Sequence, residues 1–130
     1  MLASGLSTIR SIHEAWAWVM VISNGLVGAW ALAAHWTTKV RTRVLWWCVA
    51  AAELTIAVQV TLGAIMVGSY DVPLPEFHAF YGFIALIAVA IIYSYKSQLR
   101  HRIYLLYGLG SLFVMGLGIR AMLIPPGRAF

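Results

Sequence analysis

Charged residues are scarce in this chain, and cysteine occurs only once. Of the 130 residues, 10% are Asp, Glu, Lys or Arg and 62% are hydrophobic, far from the usual balance of a soluble domain. A soluble fold of this size could not bury so much apolar surface, whereas lipid can solvate it directly. The single Cys48 excludes an internal disulfide and a cysteine-based metal site. We therefore expect one membrane domain that comprises residues 1–130.

Basic residues outnumber acidic ones, but they do not form a nucleic-acid-binding face. The formal net charge is +5, from nine Lys and Arg against four Asp and Glu. A nucleic-acid interface would gather such residues into one patch or stripe. Here they are dispersed between apolar runs, so we interpret them as determinants of membrane topology.

Four segments are long and apolar enough to cross a bilayer, which takes about 20 residues for roughly 30 Å of hydrocarbon. They are residues 12–34, 44–67, 77–95 and 103–124. The first is longer than the apolar region of a signal peptide, about 7–15 residues, and similar segments follow it, so we expect it to be retained. Because the connections are short, successive helices should be antiparallel. The sequence therefore predicts an all-α, up-down four-helix bundle in the membrane.

The distribution of charge predicts the orientation of this bundle. Lys and Arg occur in the first connection (residues 35–43) and the third (96–102), whereas the second contains Asp71 and Glu76. Positively charged loops face the cytoplasm. We therefore expect a multi-pass protein of the bacterial inner membrane, surrounded by lipid, with both termini and the acidic loop outside.

Two histidines are predicted to share one level near the outer face. His13 opens the first helix and His78 opens the third, and these two helices run in the same direction across the bundle diagonal. Two imidazoles that face each other in this way could hold the iron of one b-type haem. The alternative is that both are interfacial residues without a ligand. His35 and His101 lie at the cytoplasmic end, where we expect no second haem.

Small and polar residues of the other helices should lie at the same level. On helix two Gln59 and Gly63 share a face, and on helix four Gly116 and Arg120 do, while Gly82 lies one turn below His78. Small residues let helices approach closely or leave room for a flat ring. The predicted cofactor-binding residues are His13, His78, Gly63, Gly82, Gly116 and Arg120.

Arg120 needs a partner if it lies inside the membrane, because an arginine in hydrocarbon is costly. A haem propionate could be that partner through a bidentate pair. Without a haem, Glu14 or Glu76 could serve, or the side chain could extend to the surface.

Glu53 is a second polar residue predicted within the membrane. It lies about 13 Å along helix two at 1.5 Å per residue, at nearly the depth of Asn24 on helix one. A carboxylate at that depth needs a partner or a proton, so we expect Asn24 to bind it. A proton or quinone site is possible there, although nothing else in the sequence supports a quinone. We favour a protonated acid that joins the two helices.

Three short motifs resemble the haem-binding half of haem A synthase. They are the stretch from Gln59 to Val67, the run His78-Ala-Phe-Tyr-Gly-Phe after the outer loop, and the opening His13-Glu-Ala-Trp. The resemblance implies a four-helix bundle in which His13 and His78 are axial haem ligands. That family doubles this unit into eight helices, and its outer cysteine pair and catalytic outer loop have no counterpart here. The chain is also similar to uncharacterised small four-span bacterial proteins, from which no activity follows.

Together these features indicate a small subunit of a respiratory or other energy-transducing complex, with haem-based electron transfer as its role. The alternative is a cofactor-free accessory subunit that packs against other membrane proteins. A transporter or an independent enzyme is least favoured, because the sequence has no broken helix pairs, inverted repeat or nucleophile–base motif. We expect no catalytic activity from the chain alone.

The predicted orientation can be tested by labelling a cysteine in the acidic loop. The Asp71→Cys variant should react with a membrane-impermeant maleimide added to intact cells, because the positive-inside rule places that loop outside. Protection of this cysteine until the cells are opened would reverse the topology.

Overall fold

Residues 2–124, which the computed structural model describes, form four long α-helices. Helix α1 spans Leu2–Trp36, α2 spans Arg43–Tyr70, α3 spans Glu76–Ser94 and α4 spans Ile103–Met122. Short 3-10 turns lie in the connections before α2 and α4, and no strand occurs within residues 2–124. All four helices are long and apolar enough to cross a membrane. The prediction of four such helices is confirmed.

The helices pack as antiparallel neighbours. Helix α1 lies between α2 and α4, α3 packs on α4, and α2 touches α3 only lightly. The antiparallel direction is visible along the α1–α4 contact, where Met20 lies beside Gly118 and Leu32 lies beside Gly108. Helices α1 and α3 therefore occupy diagonal positions, as an up-down bundle requires.

Glycines allow α1 and α4 to approach closely. A Cβ atom on Gly108 would lie 2.8 Å from the backbone nitrogen of Leu32, and one on Gly28 would lie 3.1 Å from the carbonyl oxygen of Gly108. No larger residue could occupy these positions without moving a backbone. Gly28 and Gly108 thus serve helix packing of the kind common between membrane helices.

The outward faces of the bundle are apolar. Leu54 on α2 and Phe83 on α3 are each 63% exposed, and Trp47 is 71% exposed. A helix that is hydrophobic on all sides suits the interior of a large protein or a membrane. The buried core is formed by Met20, Val21, Val27, Ala31, Ala34, Leu45, Val49, Ala52, Ile56, Ala85, Ala88, Ile92, Tyr107, Val114 and Leu117.

The connection between α1 and α2 is held by hydrogen bonds to backbone carbonyls. Arg41 donates from Nε to the Ala34 oxygen at 2.6 Å and from Nη2 to the His35 oxygen at 3.0 Å. A cation at these positions satisfies carbonyls that a helix leaves free at its C-terminus and complements the helix dipole. Trp30 donates from its indole nitrogen to the Val40 oxygen at 2.9 Å.

The first two helices are longer than the predicted spans. Helix α1 begins at Leu2 rather than at residue 12, and α2 continues to Tyr70 rather than ending at residue 67. Hydropathy detected only the apolar run, because Ser4, Ser7 and Arg10 lower it, yet nothing there interrupts a helix. Helix α2 ends where Asp71 adopts a left-handed conformation with φ 53°. The observed bounds of α3 and α4 lie within the usual uncertainty of predicted helix ends.

The longer helices form an α1–α2 extension, residues 2–12 and 60–70. Residues 2–12 alone cover about 16 Å at 1.5 Å per residue. Its two helices meet where the Tyr70 hydroxyl lies against Gly5. A Cβ atom added to Gly5 would be 2.6 Å from this hydroxyl oxygen. In contrast, α3 begins only two residues before His78. The extension therefore projects beyond the level at which α3 starts.

A Gly108→Ala substitution should destabilise the bundle by separating α1 from α4. Overpacking of this kind costs about 1–3 kcal/mol, so we expect a lower midpoint of thermal unfolding in detergent, followed by circular dichroism. Gly116→Ala in the same helix is the control, because no neighbouring atom of the described residues lies within 4 Å of the added Cβ position. Equal effects of the two variants would contradict the proposed role of Gly108.

Candidate functional site

His13 and His78 meet near one end of the bundle, although they lie on diagonal helices. Their ring centroids are 6.0 Å apart, and the ring planes are inclined by 64°. Both side chains are half-buried. The sequence predicts that these residues lie at the same depth, and in the structure their rings lie close together. His13 and His78 are here named the histidine pair.

The ring of His78 is oriented by a hydrogen bond to α4. Its Nδ1 atom lies 2.9 Å from the carbonyl oxygen of Ala121. Since a carbonyl can only accept, Nδ1 must carry the proton. In a neutral ring Nε2 is then unprotonated and able to bind a metal. Metal-bound histidines commonly use their second nitrogen in this way.

His13 is held against α2. Gln59 donates from Nε2 to the backbone oxygen of His13 at 2.8 Å. A Cβ atom on Gly63 would lie 3.4 Å from Cε1 of the His13 ring. Because Gly63 has no side chain, the imidazole can lie beside α2 at this position, one turn after Gln59.

Two buried polar atoms at this level have no hydrogen-bond partner within residues 2–124. They are Nδ1 of His13 and Oε1 of Gln59. Because the Gln59 amide must present its nitrogen to a carbonyl, its orientation cannot be reversed to satisfy the oxygen. An unpartnered buried polar atom costs about 1–3 kcal/mol. Such atoms are uncommon, and a water molecule or a bound group could satisfy them.

Gly82 and Gly116 do not contact the histidine rings as Gly63 does. Within residues 2–124, no neighbouring atom is within 4 Å of a Cβ position on either glycine, and Gly116 is exposed. Arg120 is also exposed, and its guanidinium carbon lies 5.6 Å from the centroid of the Tyr81 ring. The contact seen for Arg120 is therefore with an aromatic ring of α3 rather than with Glu14 or Glu76.

The predicted bond between Asn24 and Glu53 is wrong. Asn24 donates from Nδ2 to the backbone oxygens of Met20, at 2.8 Å, and Ala52, at 3.2 Å, while its Oδ1 has no partner in the described chain. The amide joins α1 to α2 through the carbonyl next to Glu53, and Glu53 itself is only half-buried. Sequence reasoning paired two side chains of equal depth and overlooked the backbone.

Two further positions escaped the sequence reasoning. Trp16 donates from its indole nitrogen to the Thr55 oxygen at 2.9 Å and so ties α1 to α2 one turn from His13. A tryptophan near the end of a predicted span indicates an anchor at the membrane interface. The sequence therefore gave no sign of this bond to the facing helix. Ala121 acts only through its carbonyl oxygen, for which a side chain gives no signal.

The donor set limits which metals could bind. No group of three or more His, Cys, Asp or Glu residues suited to a metal occurs within residues 2–124. A zinc site needs three or four protein ligands, so the histidine pair does not fit one. A haem needs only axial ligands from the protein, and imidazoles can supply them.

No protein-family model, curated protein or solved structure matches this chain. The resemblance to haem A synthase remains a prediction that rests on its three short motifs.

Trp16→Phe should loosen the contact that positions His13. Loss of the bond to Thr55 should cost about 0.5–1.5 kcal/mol and lower the thermal midpoint in detergent. Trp18→Phe is the matched control, because Trp18 is 59% exposed and lies two residues away on the same helix. If the Trp18 variant lost as much stability as the Trp16 variant, the bond to Thr55 would not be what holds α1 at this level.

Proposed function

We propose that this protein is a small integral-membrane subunit of a bacterial respiratory or other energy-transducing complex, and that it binds one b-type haem between His13 and His78. The observation that supports this most directly is the approach of the two rings from diagonal helices.

The distance between the rings agrees with axial ligation. A metal–imidazole bond is about 2.0–2.1 Å long. If His13 and His78 both held the iron of one haem, their ring centroids would lie about 6 Å apart. The observed separation is 6.0 Å.

The surrounding bonds suit a ligand role. Ala121 fixes the proton of His78 on Nδ1, and Gln59 holds the backbone of His13. A bound haem supplies a one-electron redox couple, and its potential depends on the axial ligands and on burial. Helices α2 and α3 contact each other only lightly. The bundle could therefore open most easily between these two helices to admit a flat ring.

Arg120 could assist with the acidic groups of a haem. Its contact with Tyr81 is an exposed cation–π interaction, worth about 0.5–1 kcal/mol. A carboxylate that accepts two hydrogen bonds from a guanidinium binds more strongly than that. An anionic group at this level would therefore draw Arg120 away from the ring.

The proposed orientation in the inner membrane follows from the distribution of charge. The histidine pair lies at the end of the bundle opposite the turns that contain Lys39 and Arg100–Arg102. If these basic turns face the cytoplasm, the histidine pair lies near the outer face, and electrons would be exchanged there.

A cofactor-free accessory subunit is the second candidate. It is favoured by the large apolar side chains on the outward faces of α2 and α3. Those faces could pack against other membrane helices as well as against lipid.

A reduced-minus-oxidised visible spectrum tests the haem proposal. Protein purified from haem-replete cells should show a Soret band and a b-type α-band, and His13→Ala or His78→Ala should each abolish them. His101→Ala is the control, because His101 is exposed in the turn Arg100–Arg102 at the opposite end and its loss should leave the spectrum unchanged.

The same helical circular dichroism in all variants would show that loss of the bands is not loss of folding. Wild-type protein without a Soret band would refute the haem proposal and leave the accessory subunit. A normal spectrum in both the His13 and His78 variants would show that the haem is bound elsewhere.

A further inference from the structure

An apolar groove lies between α3 and α4 at the end of the bundle opposite the histidine pair. Its volume is about 450 Å³. The walls are formed by Ala88, Ile91, Leu105, Leu109 and Phe113, among other residues, and Arg102 is the charged residue in its lining. Helices α3 and α4 meet at the floor, where Ile92 lies against Gly110.

The groove has the length of one membrane leaflet. From Arg102 to Phe113 there are eleven residue steps, or about 16 Å at 1.5 Å per residue. Half of the hydrocarbon thickness is roughly 15 Å. This length corresponds to one phospholipid acyl chain.

The charge at the mouth of the groove selects the headgroup. Arg102 is exposed and directly precedes α4, where the positive end of the helix dipole also favours an anion. Two other basic side chains have contacts of their own. Arg41 binds the carbonyls at the end of α1, and Lys96 lies 3.9 Å from the centroid of the Tyr93 ring.

We propose that this groove is a binding site for an anionic phospholipid, with one acyl chain between α3 and α4 and the phosphate at Arg102. Basic pockets between membrane helices are known to bind anionic headgroups. The apolar walls alone would accept any lipid chain, and Arg102 provides the preference for negative charge. The site depends neither on a haem at the histidine pair nor on which side of the membrane the basic turns face.

Native mass spectrometry of the detergent-purified protein tests this site. The protein is titrated with phosphatidylglycerol or with phosphatidylcholine of identical acyl chains. Wild-type protein should bind the first phosphatidylglycerol molecule more tightly. Arg102→Gln should reduce that preference about fivefold, the effect of one basic residue near the membrane surface. Arg100→Gln is the control. It removes the same charge two residues earlier in the chain, and the Arg100 side chain is not part of the groove lining.

A second pair of variants tests the apolar part of the site. Leu109 lines the groove and is 54% exposed, so Leu109→Trp should fill the groove without disturbing the core. It should lower the occupancy of both lipids. Leu54→Trp changes a similarly exposed leucine on α2, 63% exposed, and should have no effect.

Two results would overturn the proposal. Equal losses of preference in the Arg100 and Arg102 variants would indicate diffuse electrostatic attraction to the whole turn. Unchanged lipid occupancy in the Leu109 variant would show that the acyl chain is not in the groove. The haem spectrum of these variants is a separate readout, so failure of the lipid site leaves the haem proposal to its own test.

Discussion

The close contact between α1 and α4 determines where both histidine rings lie. Gly28 and Gly108 let the two backbones approach each other. Helix α1 carries His13, and α4 carries the Ala121 carbonyl that orients His78. One helix–helix contact therefore positions one ring directly and the other through a hydrogen bond. This is also why His78 can face His13 although α1 and α3 are diagonal and have no extensive contact of their own.

The α1–α2 contact is directed by polar side chains that bind backbone oxygens. Gln59, Trp16 and Asn24 each donate to a carbonyl of the facing helix. A carbonyl already used within a helix can accept a second hydrogen bond, so such a bond links two helices without burying a charge. Hydrogen bonds are also stronger where the dielectric constant is low. Buried ion pairs, with their large desolvation cost, are not needed to align α1 with α2.

Four helices and their order could be predicted from the sequence, because apolar runs of sufficient length and short connections leave few alternatives. The equal depth of His13 and His78 also followed from counting residues along the helices. The full length of α1 did not, since Ser4, Ser7 and Arg10 are compatible with both a helix and a polar leader. Hydropathy reports where a chain is apolar, whereas a helix continues until its backbone is interrupted.

Pairing of polar groups was harder to predict for the same physical reason. The Asn24 amide was expected to bind the Glu53 side chain, but it binds the Ala52 carbonyl. A sequence identifies the side chains, but it does not indicate which backbone carbonyl oxygens will be within reach of them. Where two helices come close enough, a polar side chain can reach that oxygen. The hydrogen bond between His78 and the Ala121 carbonyl could not be predicted for the same reason.

Helix α3 connects the two ends of the bundle. It touches α2 only lightly and is held mainly by α4, through the His78–Ala121 hydrogen bond at one end and the packing of Ile92 on Gly110 at the other. The apolar groove opens beside this second contact. The packing of α3 on α4 thus serves both ends of the bundle. It brings His78 to the Ala121 carbonyl at one end and forms the walls of the groove at the other.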